Sequence, residues 1–324
     1  MRRALTYRLL IGLVVGGFSL KAQDNNAGDN NIAIKNNKIK TQIVYEYTYQ
    51  KDKPSEEGKK TQEIHYDANG NKIEEINYRY NGTIHTINTY KYDSRGNRIE
   101  YIKYEGNKEK MVFRQFFEYN SKNQIVTETG FNGVENYKTI YKYDNQGRLA
   151  EVIYYVDNKL DEKRTFAYFK NSSELSVLDA TLQLSYKIQY LYNEQGKIIR
   201  EEKTDNSGFV SKRVLYTYDS RGNLLSEEKY MNGKFAQKTT HVYDQAGRLI
   251  EVYIETSPSE KFLAKQYVYD AKGLLVEEKY RNSPSKEFSK NVYTYMDNGI
   301  CKSVDSYYAS YNEKIMYVYN YEKF

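Results

Sequence analysis

Runs such as TIHTINTYKY, MVFRQFFEY, KRVLYTY and KFLAKQYVY recur along the chain. They are rich in β-branched and aromatic residues, and their apolar positions partly alternate with polar ones. A period of two predicts half-buried β-strands. Two kinds of turn signal separate the runs, with no helical pattern between them. The first is Tyr-Asp-x-x-Gly. Asp at the first corner of a type I turn accepts hydrogen bonds from the amides that follow, and Gly supplies the positive φ that completes a bulged hairpin. The two places are held by Asp67 and Gly70, Asp93 and Gly96, Asp144 and Gly147, Asp219 and Gly222, Asp244 and Gly247, and Asp270 and Gly273. Asn120, Asn193 and Asn320 substitute for the Asp, and Asn123 stands in the glycine place of the third copy, where its side chain tolerates a left-handed backbone. The second signal falls half a period later and is often Asn-Gly, as at Asn81-Gly82, Asn132-Gly133 and Asn232-Gly233. It predicts two-residue hairpins.

The tyrosines that open the first signal run from Tyr66 to Tyr319 at intervals of about 25 residues. Two hairpin turns per period make a continuous up-and-down meander. The expected fold class is all-β: antiparallel β-hairpin repeats forming a long curled or spiral meander sheet. Roughly twenty strands at about 4.8 Å spacing would make a ribbon near 100 Å wide, and open twisted sheets seldom exceed about ten strands. Twist therefore has to curl the ribbon into a spiral, an open superhelix or a closed barrel.

Within the strands, Tyr-x-Tyr pairs place two rings on one face. Tyr141 and Tyr143, Tyr190 and Tyr192, Tyr216 and Tyr218, and Tyr267 and Tyr269 are the candidate ligand-binding ladders, since exposed rings stack on sugars. Phe117, Phe166 and His241 fill the earlier slot in their copies. Glu74, Glu100, Glu151, Glu251 and Glu277 recur four residues past the glycine, facing strands with Lys and Arg, and predict solvated cross-strand ion pairs. Residues 159–190 keep the spacing but lose the turn chemistry, with YFKNSSEL in place of the Tyr-Asp phrase; this predicts a bend or an interaction point. The terminal runs IVYEYTY and IMYVYNY are expected either to pair with each other or to leave edges open to self-association.

Composition sharpens this picture. Of 324 residues, 37 are Tyr, none is Trp, and 39% are hydrophobic, too few for a large three-dimensional core. Residues 1–22 read as a secretory signal peptide, with Arg2, Arg3 and Arg8 before a short apolar run and Ala22 at its end. That run is too short to span a bilayer, and no Cys stands near for a lipid anchor. Residues 23–40 are expected to form a flexible leader and 41–324 the repeat domain, in an exported protein that is periplasmic, cell-surface or extracellular. The formal charge is +6. Without residues 1–22 it falls to about +2, which gives no support for a nucleic-acid partner. Cys301 occupies a slot filled elsewhere by Leu149, Ile198, Leu249 and Leu275, and is expected to be a buried filler.

The phrases YKYDNQGRLAEV (Tyr141 to Val152) and HVYDQAGRLIEV (His241 to Val252) resemble the YD repeats of the rearrangement-hotspot (RHS) family. The resemblance covers most of residues 62–324. It implies a long antiparallel sheet that spirals into a shell, with links to carbohydrate binding and surface contact. The toxin-delivering members end in a Pro-rich core with Asp-Pro-x-Gly. Here the prolines are Pro54, Pro258 and Pro284, none preceded by Asp, so packaging of a cargo and self-cleavage are not expected.

No metal-spaced His pair, Gly-x-Ser-x-Gly or phosphate loop is present, so neither an enzyme nor a cofactor is expected. An outer-membrane barrel is the alternative for an exported, aromatic, strand-rich chain. It is opposed by Lys163/Arg164 and Lys212/Arg213, which put cations on both faces of a strand. The remaining expectation is a noncatalytic binding or scaffold protein, with a polysaccharide or a cell-surface protein as partner. An RHS-type shell fragment acting in protein–protein interaction is the further alternative.

Overall fold

The computed structural model describes residues 31–50, 52–257 and 259–324. A short helix, Asn31–Asn36, precedes the strand Ile39–Gln50, onto whose end Lys53–Pro54 folds back. From Lys59–Tyr66 to Glu313–Lys323 every strand then pairs antiparallel with the next. The strand Ile39–Gln50 pairs on one side with Lys59–Tyr66, Gln42 opposite Ile64, and on the other with Glu313–Lys323, Gln42 opposite Tyr321. The sheet therefore closes into a barrel of 22 strands. Closure corrects the expected curled or spiral sheet, and it uses up both terminal edges.

The registers show why closure works. Following cross-strand partners once round the ring returns to the first strand about 22 residues further along, a stagger of about one residue per strand. Equal stagger and strand number tilt the strands by about 35–40° and set a backbone diameter of about 40 Å. Equivalent residues of successive repeats then lie at one height around the wall.

Each Tyr-Asp phrase forms the turn expected of it except Tyr319-Asn320, where Asn320 lies within the strand Glu313–Lys323 opposite Ile43 and Tyr321 takes the place expected of Tyr319. Asp93 Oδ1 accepts the amides of Arg95 (2.9 Å) and Asn97 (2.8 Å), Gly96 donates to the Asp93 carbonyl (3.0 Å), and Gly96 has φ 83°. The Asn97 side chain and these amides hold the Asp93 carboxyl below its usual range. Asn123 takes the glycine place at φ 61°.

The Asn-Gly sites need correction. Asn232-Gly233 is a two-residue turn with φ 50° and 76°. Asn81-Gly82 is not, because Gly82 donates to Arg79 and Arg79 to Thr83, the same bulged geometry as the Tyr-Asp turns. In residues 159–190 the ladder runs on unbroken, with Leu182 at φ 63° in the glycine position of one turn, so no bend marks this copy. The leader expected at 23–40 is also corrected over its described part. Ile34 of the helix is buried against Ile39, Ile64, Tyr66 and Ile300 at the Tyr-Asp end. Residues 1–30, including the signal segment, lie outside the described residues.

The register shift at each Tyr-Asp turn is covered by the following repeat. Tyr218 faces Leu224 across its bulge, and Tyr243 from the next repeat donates its hydroxyl to the Leu224 carbonyl at 3.0 Å. The same bond joins Tyr92 to Lys72, Tyr119 to Arg98, Tyr143 to Ile125, Tyr168 to Leu149, Tyr218 to Ile198, Tyr269 to Leu249, Tyr295 to Leu275 and Tyr321 to Cys301. In the degenerate copy the Ser173 hydroxyl takes the carbonyl's part, 2.6 Å from the Tyr192 hydroxyl. A net hydrogen bond contributes about 0.5–1.5 kcal/mol, so this belt rivals the roughly 5–15 kcal/mol by which a folded chain is stable. Tyr218→Phe, which deletes only the hydroxyl, is expected to cost about 1 kcal/mol in chemical denaturation. Tyr216→Phe, two residues earlier, should cost measurably less.

Candidate functional site

Strand alternation gives the wall two different faces. The outer face carries ion pairs: Glu151 with Lys142 (2.9 Å) and Lys163 (2.7 Å), Glu202 with Arg213 (2.5 Å), and Glu174 with Lys187 (2.8 Å). The inner face carries both members of each Tyr-x-Tyr pair and, one step further from the Tyr-Asp end, Glu75, Glu128, Glu201, Glu227 and Glu278. Beyond these stand amides in the first and last strands of the domain and aliphatic residues such as Val177, Ile188 and Val214 in its middle.

The amide-rich side of the lumen forms a cavity of 620 Å³ across the closure seam. Gln42, Gln62, Asn77, Asn291, Tyr293 and Tyr317 are among the side chains that define it. Its polar groups are tied together. Gln62 Nε2 donates to Asn77 Oδ1 (3.1 Å) and Glu75 Oε1 (3.3 Å), Asn77 Nδ2 donates to Thr86 Oγ1 (3.2 Å), and Lys72 Nζ lies 3.0 Å from Glu75 Oε2. On the facing wall Tyr293 donates to Glu278 Oε2 at 3.2 Å. Burial, with the Glu278 carboxylate beside it, pushes the Tyr293 phenol up, and burial pushes Tyr319 up to about 12. These phenols stay protonated donors at neutral pH. The cavity therefore combines rings with amide donors and acceptors held in fixed directions.

The eight tyrosines singled out from sequence line none of it. Tyr143, Tyr192, Tyr218 and Tyr269 spend their hydroxyls on the belt of interrepeat bonds. Tyr141 donates to Glu128 Oε2 (3.0 Å), which also accepts through Oε1 from Gln115 (2.7 Å). Tyr190, Tyr216 and Tyr267 are held up in pKa by burial and then by Glu201 or Glu278, Tyr267 to about 12. Tyr216 and Tyr218 do border a separate, open depression of 490 Å³ beside the turn Asp219–Gly222. Asp67, Asp93, Asp144, Asp219, Asp244 and Asp270, with Gly70, Gly96, Gly147, Gly222, Gly247 and Gly273, form the turns of one rim.

Sequence reasoning missed Gln42, Gln62, Asn77 and Asn291. Their signal was an amide at inward positions where middle repeats carry Val or Ile, legible only once inward and outward are known. Among the described residues no three His, Cys, Asp or Glu side chains are grouped to hold a metal. Cys301 is buried, and burial pushes its thiol up to about 12.

Directly opposite Val252, His241 stands in the inner slot that most copies give to Tyr, and its Nδ1 is buried with no hydrogen-bond partner. Burial lowers its pKa from 6.5. The unfolded chain therefore binds the proton more readily, and the stabilising neutral form is lost as pH falls through the depressed folded value. Between about pH 7 and pH 5 the wild type is expected to lose more stability than His241→Phe, measured as the difference in denaturation midpoint.

A family model described as Teneurin YD-shell matches residues 86–263. No curated protein matches the chain. Among solved structures, a porin-like protein from Bacteroides uniformis is 11% identical with a TM-score of 0.31, over 88% of this chain and 97% of that one. The Photorhabdus luminescens Tc holotoxin pore is 11% identical with a TM-score of 0.28, over 79% of this chain and 17% of that one. The TcdB2-TccC3 structure is 12% identical with a TM-score of 0.20, over 86% of this chain and 24% of that one.

Proposed function

The chain belongs to the teneurin YD-shell family, and we propose that it is an exported, noncatalytic shell whose lumen binds carbohydrate. The observation that carries this reading is the seam cavity. Tyrosine faces suit the C–H faces of sugar rings, and Gln42, Gln62, Asn77 and Asn291 offer both donors and acceptors to hydroxyls. Its 620 Å³ falls inside the range of about 300–1,000 Å³ usual for small-ligand sites. Existing hydrogen bonds hold the amides in place, which lowers the ordering cost of binding. Export rests on the apolar N-terminal segment with its leading arginines.

The ring of strands invites the outer-membrane reading, and the outer face speaks against it. Lys163 pairs outward with Glu151 while Arg164 pairs inward with Glu162; Arg213 pairs outward with Glu202 while Lys212 pairs inward with Glu201. A cation near the bilayer midplane costs about 2–4 kcal/mol, and outward ion pairs repeat around this wall. Water on both faces fits these charges.

A glycan array probed with the chain from residue 23 onward tests the proposal. Binding is expected to weaken at least about tenfold in Gln62→Ala and Tyr293→Ala, the loss of about 1.4 kcal/mol. Tyr190→Phe, on the far wall, should leave it unchanged. A properly folded chain that binds no glycan would overturn the carbohydrate reading and leave only the shell.

A further inference from the structure

Alternate turns of a closed meander fall at opposite ends, and here the two ends differ in chemistry. At the Tyr-Asp end the tips are polar, as at Ser94-Arg95, Ser121-Lys122, Asn145-Gln146 and Ser220-Arg221, with Phe169 and Met296 as exceptions. At the other end five turns project a large apolar side chain into water, with polar turns such as Asp157-Asn158 and Asn232-Gly233 between them. Tyr80 is 71% exposed, Val134 79%, Leu182 54%, Phe209 51% and Tyr311 80%. Each sits on a separate turn: Arg79–Thr83, Asn132–Glu135, Asp179–Gln183, Asp205–Phe209 and Tyr308–Asn312. Leu182 even occupies a left-handed position, φ 63°, that Gly or Asn would fill without strain.

We propose that two copies of this chain meet rim to rim through these tips, about a two-fold axis, and so join two lumens into one. Three observations select a second copy as the occupant. Equal stagger and strand number bring the short turns of this rim to one height, and the two longer connections, around Lys53–Pro54 and at 281–288, lie on either side of the seam, so the five apolar tips share a level that another such rim can meet. The charges between the tips are of both signs, Arg79, Lys110 and Lys234 beside Glu105, Glu135 and Asp161, which suits a surface that must complement itself and not an anionic membrane or nucleic acid. An annulus about 40 Å across and one side-chain layer thick offers about 1,000 Å² per copy, enough for a stable interface of about 1,200–2,000 Å² in total. This pairing differs from strand-edge association, since the terminal edges are consumed by closure. The apolar tips supply its desolvated centres and the charges its register.

Light scattering and sedimentation equilibrium of the chain from residue 23 onward are the test. The wild type is expected to be a dimer. Combined Val134→Lys, Leu182→Asn and Phe209→Lys should run as a monomer with an unchanged far-ultraviolet β spectrum, and Phe169→Lys on the opposite rim should remain dimeric. A wild type that stays monomeric at the highest soluble concentration overturns the proposal, whether or not it floats with liposomes. So does a triple variant that folds and remains a dimer.

Discussion

A tyrosine hydroxyl bonded to a carbonyl across a neighbouring repeat's bulge is the constraint on which the rest of this barrel depends. A bulge interrupts the ladder and bends the strand. Each Tyr-Asp turn creates one, so a meander of such turns would carry a row of interrupted positions along one rim. The hydroxyl from the next repeat meets each position and couples every hairpin to its neighbour. The sequence shows the selectivity of this role: Phe117, Phe166 and His241 occur in the earlier slot of the pair, while Tyr holds the later slot in every copy from Tyr92 to Tyr321. A ring alone suffices for packing, and only a phenol can donate.

The same geometry shapes the lumen. A repeat of about 25 residues with one residue of stagger per strand sets like positions at one height, so single residue choices become rings around the wall. Tyrosine rings lie nearest the Tyr-Asp end, carboxylates follow, and the outward positions become ladders of ion pairs. A barrel of this diameter is wider than its side chains can fill, so its inner face is a surface and not a core. The helix Asn31–Asn36 buries Ile34 at one end of that surface and leaves the seam cavity beside it.

Much of the fold was legible in order. Asp or Asn at the corner, with Gly or once Asn three residues on, marked the bulged turns because these pairs combine a side-chain acceptor with a tolerated positive φ. The candidate site was not legible in the same way. Repetition drew attention to the Tyr-x-Tyr pairs, yet a feature that recurs in every repeat is needed by every repeat, and the later hydroxyls are committed to the wall. Gln42, Gln62, Asn77 and Asn291 break the pattern, and they gather because the ring brings the first strands beside the last. Asn81-Gly82 closes the bulged turn that the Tyr-Asp phrases use, with Gly82 donating to the Arg79 carbonyl.

The sequence by itself determined strand period, turn chemistry, the all-β class and the repeat, because each depends on residues within a few positions of one another. Tertiary structure alone decided closure, the inward direction of the tyrosines, the ordering of Ile34 and the seam cavity. Those depend on the pairing of Ile39–Gln50 with Glu313–Lys323, partners separated by nearly the whole chain, and on a stagger that accumulates through every intervening hairpin. Local signals specify each hairpin's turn, and only the sum of all their registers specifies whether the last strand meets the first.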